Sequence, residues 1–314
     1  MSRWGLTIPL TGVPLAEHRK VVEGLADLGY TDAWSAETAG TDAFTPLALA
    51  SQWAPQLRLG PAIVPVYTRG PGLLAQQAAT LADLAPGRFV LGIGTSSPVI
   101  VERWNGIPFT EPYQRVRDTL RFLRRALAGE KVGDEALGVS GFKLETPPRT
   151  PPPIVLAALR PGMLRLAARE ADGAITNWLA PSDVPKVRSE FGTEKELIAR
   201  IFVCPTSDAD EARALGRRLI AAYLTVPVYA AFHEWLGRGE QLAAMNEAWA
   251  AGDRKAALAA ISDDVVDDLL VHGSPDECRE RVREYVDAGL DTPVLAVLPN
   301  NEIPVTDAVR ALAP

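Results

Sequence analysis

The stretch RFVLGIGTSS, Arg88 to Ser97, is an apolar run that passes through two glycines into three hydroxyl residues, Thr95, Ser96 and Ser97. A short, uninterrupted apolar run of this kind reads as a buried strand of a parallel sheet. Its end suits an oxyanion. Glycine lets a backbone approach a ligand closely, and backbone N–H groups with hydroxyls can satisfy phosphate oxygens without a charged side chain. A tight turn with no ligand produces the same pattern, so the choice rests on the rest of the chain.

Outward from this run, strand-like segments recur at Gly5–Pro9, Asp32–Ala36, Leu57–Val64, Ile154–Ala157, Gly173–Asn177, Leu197–Val203 and Thr292–Leu298. Amphipathic segments lie between them, among them Leu15–Leu28, Pro71–Leu84, Tyr113–Leu127 and Pro161–Glu170. A βα repeat with parallel strands is the economical solution, and eight such units close into a (β/α)8 TIM barrel, an α/β fold. Local chemistry agrees. Ser274-Pro275-Asp276-Glu277 combines a capping serine, a proline at the first helical position and a glutamate at the third, and Ala288-Gly289 supplies the stop. Two stretches exceed a βα unit: a Gly-rich hairpin near residues 130–150 and a helical insertion near 205–272. Without a linker rich in Pro, Gly and Ser, residues 1–314 read as a single barrel domain.

Composition narrows the function. The chain is 47% hydrophobic and 23% charged, and no apolar run approaches the roughly 20 residues that span a bilayer. Met1–Gly12 lacks the apolar core and cleavage site of a signal peptide, so a cytoplasmic protein with no membrane role is expected. A net charge of −7 with no basic stripe argues against nucleic acid and for a small-molecule substrate. Cys204 and Cys278 read as core residues. His18 falls on the polar face of the first helix, His233 beside Tyr229 and Phe232, and His272 before a helix cap. None has metal-ligand spacing or an adjacent nucleophile, so no metal and no Ser-His-Asp triad are expected. An organic cofactor is left to carry the chemistry.

Active sites of barrels lie at the C-terminal strand ends, which makes the residues after each strand the candidates. Glu37, after the second strand, is the lone carboxylate among them and reads either as an acid–base group or as a salt-bridged loop residue. Gly94, Thr95, Ser96 and Ser97 follow the fourth strand. Ala158, Leu159, Arg160, Pro161, Gly162 and Met163 follow the fifth, where Arg160 and a helix N-terminus can share a phosphate. Asn177 and Trp178 follow the sixth, and Trp178 reads either as a surface for a planar ring or as packing. Trp4, Trp34 and Trp53 are assigned to the core. The aromatic group Tyr229, Phe232, His233 and Trp235 in the helical insertion is open to two readings, pocket wall or core.

The ordered segments TDAWSAE, RLGPAIVPVYTRGPGLLAQQAATLADLAPGRFVLGIGTSS, LAALRPGMLRLAAREADGAITNWLAP and VHGSPDECRERVREYVDAGLDTPVL together resemble the bacterial luciferase-like family of flavin and deazaflavin oxidoreductases over nearly the whole chain. Ala157–Met163, followed by Ala171-Asp172-Gly173, is most similar to the branch that uses coenzyme F420. The resemblance implies a luciferase-like barrel, commonly a homodimer, with a non-prolyl cis peptide at Ala62–Ile63 against the deazaflavin ring. It also implies a cofactor phosphate near Gly94–Ser97 and Ala158–Met163. The sugar-phosphate dehydrogenases of that branch carry Asp-His after the second strand and Glu after the fourth-strand glycines; here Ala36-Glu37 and Ser97 stand there, which removes those catalytic groups.

The expected function is hydride transfer between the deazaflavin C5 and a small organic substrate, with Glu37 orienting it or relaying a proton and Asn177 and Trp178 shaping the pocket. The alternatives are an FMN-dependent monooxygenase and a cofactor-binding protein without turnover. A Rossmann site is disfavoured because Ser97 replaces the third glycine and Pro98 follows.

Overall fold

Each apolar run of the sequence becomes a strand of one parallel ring. The computed structural model describes residues 3–314, so Met1 and Ser2, the start of the segment read for a leader, lie outside the described residues. The strands are β1 (Gly5–Ile8), β2 (Asp32–Ser35), β3 (Arg58–Pro61), β4 (Val64–Pro65), β5 (Leu91–Gly94), β6 (Val132–Asp134), β7 (Val139–Phe142), β8 (Ile154–Ala157), β9 (Gly173–Asn177), β10 (Glu196–Pro205), β11 (Val271–Gly273) and β12 (Thr292–Val297). Round the barrel they run β3-β2-β1-β12-β10-β9-β8-β5, all parallel. The ring closes where Leu59 bridges Phe89: Leu59 N–H donates to the Arg88 carbonyl at 2.9 Å and Val90 N–H to the Leu59 carbonyl at 2.8 Å. In this order β10 stands across the barrel from β3.

Outside the ring lie α1 (Arg19–Glu23), α2 (Phe44–Trp53), α3 (Pro71–Leu84), α4 (Pro112–Leu127), α5 (Pro161–Glu170) and α6 (Val184–Phe191). The helical insertion comprises α7 (Ala209–Leu224), α8 (Pro227–Leu236), α9 (Gly239–Ala250), α10 (Arg254–Ala259) and α11 (Asp263–Leu269), followed by α12 (Pro275–Asp287) and α13 (Val305–Ala311). The capping box of Ser274 and Glu277 forms as read, and β6 pairs antiparallel with β7 as the hairpin. Among the described residues no single helix is long and apolar enough to cross a membrane.

Inward-facing Trp34, Val90, Val155, Ile175, Ile198 and Val294 fill the barrel. That plug explains the glycines of the opening stretch. A Cβ on Gly92 would stand 2.0 Å from the Pro61 carbonyl oxygen, and one on Gly94 would stand 2.7 Å from the Ala157 Cβ. These glycines let strands approach one another; the expectation that they admit a ligand is corrected.

Three further differences have local causes. The run Leu57–Val64 splits into β3 and β4 around Ala62–Ile63, whose peptide bond is cis, as the family resemblance implied. The expected helix Leu15–Leu28 shortens to a 3-10 turn (Leu15–Glu17) and α1, which ends at Gly24, a poor helix residue after the β-branched Val21 and Val22. His18 leaves the polar face and is buried: Leu10 N–H donates to its Nε2 at 2.7 Å, which leaves Nδ1 to donate to the Pro14 carbonyl at 3.0 Å. His272 precedes the cap Ser274 as read; it lies in β11, a short strand along the end of β10, and meets Asp267 at 2.8 Å.

The N-terminal strand ends are locked by charge. Arg58 donates through Nη1 and Nη2 to both oxygens of Glu196, at 2.7 and 2.6 Å, and through Nε to Asp32. Thr292 donates to the same Glu196 carboxylate at 2.5 Å, and Arg3 reaches Asp32 at 3.2 Å. Burial pushes the Glu196 carboxyl up, but the Arg58 hydrogen bonds and charge outweigh it and hold the group below the usual carboxylate range.

Candidate active site

A cavity of about 1400 Å³ opens at the other end of the barrel, where the strands finish. Its wall takes Ala36, Glu37 and Thr38 from beyond β2, Ala62 and Ile63 from the β3–β4 break, and Thr95, Ser96 and Ser97 from beyond β5. Leu159, Arg160, Pro161, Gly162 and Met163 come from the start of α5, and Asn177 from the end of β9. Sequence reading therefore found most of one wall. Three of its candidates do not line the cavity. Gly94 and Ala158 pack between strands outside the cavity lining, with Ala158 N–H bonded to the Ile175 carbonyl. Trp178 is buried and stacks on Phe202 at 4.3 Å between centroids, so it belongs to the core beneath the insertion. Trp4 and Trp34 are buried as assigned, and Trp53 packs partly buried against the core.

Two of the turns here adopt unusual backbone. Ser96 has φ 62° and Trp178 φ 55°, left-handed values that non-glycine residues adopt sparingly and that cluster at functional sites. Beyond Ser97 the chain forms a π-helical turn, Val99–Trp104, which is itself frequent at such sites and leaves the Trp104 ring exposed on the cavity rim.

One end of the cavity is built for an anion. α5 starts at Pro161 with Arg160 in an extended conformation before it, and has neither a side-chain cap nor an acidic residue in its first turn. The first N–H groups of a helix lack partners within it and carry the positive end of its dipole. A Cβ on Gly162 would meet nothing, so the backbone there stands open.

Glu37 is the lone carboxylate of the strand-end set, and it is engaged. Arg69 grips both of its oxygens, with Nη2 to Oε2 at 2.6 Å, and Ala43 N–H donates to Oε2 at 3.1 Å. The cavity therefore meets a neutralised pair at this position rather than a free acid–base group, the second of the two readings offered by the sequence.

The sequence reading missed Arg200 of β10 and Tyr223 of the insertion; it had named Asn177, and it had left Tyr229 and Trp235 open between pocket wall and core. Arg200 lines the cavity from β10, opposite the Ala62–Ile63 bond in strand order, with its guanidinium 4.7 Å above the Phe202 ring. Its Nε is buried with no hydrogen-bond partner. Asn177, in register with Arg200 on the next strand, donates to the Tyr229 hydroxyl at 3.2 Å. Burial pushes Tyr229 up to about 12, opposed by the Asn177 hydrogen bond and the Arg200 charge. Tyr223, Tyr229 and Trp235 are the aromatic part of the insertion's wall, whereas Phe232 and His233 are wholly buried. A charged residue inside the apolar strand ELIARIFVCP, in step with inward Ile198, was the available signal for Arg200.

The profile of the family described as luciferase-like monooxygenase matches residues 5–292. The chain belongs to the luciferase-like monooxygenase family. Among relatives, a Mycobacterium tuberculosis protein that bears the name of a coenzyme F420-dependent oxidoreductase is 27% identical, over 88% of this chain and 89% of its own. A 5,10-methylenetetrahydromethanopterin reductase of Archaeoglobus fulgidus is 30% identical, over 77% of each. The solved structure of the coenzyme F420-dependent tetrahydromethanopterin reductase from Methanopyrus kandleri superposes with a TM-score of 0.74 at 23% identity, covering 99% of this chain and 97% of that one. The luciferase-like barrel is thus the fold of this family member, and its relatives are enzymes.

Proposed function

We propose that this luciferase-like protein is a coenzyme F420-dependent oxidoreductase that moves a hydride between the deazaflavin C5 and a small organic substrate. The observation that carries the reading is the anion-ready wall of the cavity, formed by the open start of α5, Arg160 and, from the neighbouring strand end, Thr95 and Ser97. Those groups suit a cofactor phosphate. The names of the similar M. tuberculosis and A. fulgidus proteins support F420 as that cofactor.

When bound, the coenzyme supplies a two-electron hydride carrier. The chain supplies the rest. Arg160, Gly162, Met163, Thr95, Ser96 and Ser97 would hold the phosphate, and Ala62 and Ile63 would give the ring an apolar backing. Tyr223, Tyr229 and Trp235 screen the reacting end from water, and the Glu37–Arg69 pair fixes the loop after β2. Holding two reactants aligned in a dry site is the main contribution such a protein can make to a hydride step.

Titration of the purified protein with oxidised F420 and, separately, with FMN, followed by cofactor fluorescence, tests the reading. Micromolar or tighter F420 binding with weaker FMN is the expected result. Preference for FMN would turn the reading to a monooxygenase fed with reduced FMN. Binding of neither would overturn it, and F420 binding with no substrate-dependent loss of its absorbance would leave a carrier without turnover.

A further inference from the structure

The cavity has a second polar end that the phosphate reading does not use. Three guanidinium groups of low exposure meet carboxylates: Arg58 meets Glu196, Arg69 meets Glu37, and Arg238 meets Asp183. Arg200 does not. Among the described residues it forms no ion pair, its Nε lacks any partner, and Glu234, another acidic residue of the cavity wall, makes no salt bridge with it. A buried N–H without an acceptor costs stability, and such a donor is kept where it is reserved for a ligand.

Its neighbours complete a pattern of donors. Asn177 uses Nδ2 on the Tyr229 hydroxyl oxygen, which leaves the Tyr229 proton free to be donated elsewhere. The Arg200 guanidinium lies over the Phe202 ring, 4.7 Å from its centroid. A planar fork of N–H donors with a hydroxyl donor beside it matches the two oxygens of a carboxylate, and guanidinium–carboxylate pairing is bidentate and charge-assisted. A neutral hydrocarbon or a cation would leave these groups unpaired.

We propose that Arg200, with the Tyr229 hydroxyl oriented by Asn177, forms a carboxylate-binding subsite, and that the substrate of this enzyme is a small carboxylic acid. Only the word substrate rests on the F420 reading; the anion site itself does not. Arg200 stands on β10, across the barrel from Ala62 and Ile63 and two strands round from the β8–α5 turn, so the subsite is separate from the phosphate end.

The test is calorimetric titration of the cofactor-free protein, at fixed ionic strength, with aromatic and aliphatic monocarboxylates and with the amide of each. At least one acid should bind at millimolar or tighter Kd, with its amide at least tenfold weaker. The preference should disappear in Arg200→Met, survive in part in Arg200→Lys, and persist in the presence of inorganic phosphate. Equal binding of acids and amides, no binding of either, or a preference that survives Arg200→Met would overturn the proposal. So would displacement by phosphate, which would assign the acid to the α5 end. The unfolding temperatures of both variants show that the chain remains folded. A protein that shows the acid preference but does not bind F420 would break the cofactor reading alone, and the reverse result would break this one alone.

Discussion

Arg58 and Arg200 face into the same barrel from opposite ends, and their surroundings differ in one respect that separates fold from function. Glu196, Ile198 and Arg200 share one face of β10, so the backbone at Arg200, at the open end, lies about 13 Å along the strand from that at Glu196, whose carboxylate Arg58 grips at the closed end. Arg58 is satisfied on three sides by Asp32 and Glu196. Arg200 is satisfied by no side-chain acceptor. Charges at the N-terminal strand ends are thus consumed in closing the barrel, whereas the charge at the C-terminal ends is left for something that binds. That division matches the general habit of barrels, stability below and chemistry above.

The largest effect expected from this contrast is on Arg58. Arg58→Met removes one partner of a buried network, leaves Glu196 without a salt-bridge partner and leaves Asp32, whose side chain is 0% exposed, with Arg3 alone. Breaking such a pair costs about 3–5 kcal/mol. At the usual unfolding entropy per residue, that is a fall of about 5–8 °C in Tm, read by calorimetry. A fall within a degree of the wild type would show that the closed end is not held this way.

Acid separates the two ends at different pH. At the open end, burial and then the Arg238 charge push His233 down to about 3, below its ordinary value of about 6.5. The unfolded chain therefore takes up a proton that the folded chain refuses. Stability is full above pH 6.5 and declines as pH falls, with a slope of up to about 1.4 kcal/mol per unit. At the closed end Glu196 is depressed instead, so its contribution is present above the unfolded carboxylate value of about 4.3 and is lost as pH falls through the lower folded one. Urea unfolding between pH 7 and 4.5 should show a decline of about 2–3 kcal/mol from His233 that His233→Phe abolishes. A decline that persists in that variant assigns it elsewhere.

Arg160 should matter to ligand and not to fold. Arg160→Gln is expected to weaken F420 binding about tenfold, or about 1.4 kcal/mol, with Tm unchanged. Unaltered F420 affinity would move the phosphate away from the start of α5.

The sequence carried the ring of strands because buried parallel strands are short apolar runs and helix ends announce themselves, as at Ser274 and Gly289. It carried the Thr95–Ser97 and Arg160–Met163 wall because chain position after a strand predicts position on the rim. Other features depended on partners distant in sequence. The glycines of LGIG looked like room for a ligand until Pro61 and Ala157 occupied that room. Glu37 read as either an acid–base group or a salt-bridged residue until Arg69, thirty-two residues on, took it. Trp178 looked like a surface for a ring until the insertion brought Tyr223 against it and Phe202 stacked beneath. Arg200 was hidden because a single charge within an apolar strand does not reveal which way it points.

The most direct test of the division between the two ends is the unfolding temperature of Arg200→Met measured beside Arg58→Met. The account predicts that Arg200→Met unfolds at or slightly above the wild-type temperature, because an unpaired charge is removed, while Arg58→Met falls by several degrees. A loss in Arg200→Met as large as that in Arg58→Met would show that Arg200 is a structural group, and would contradict the account.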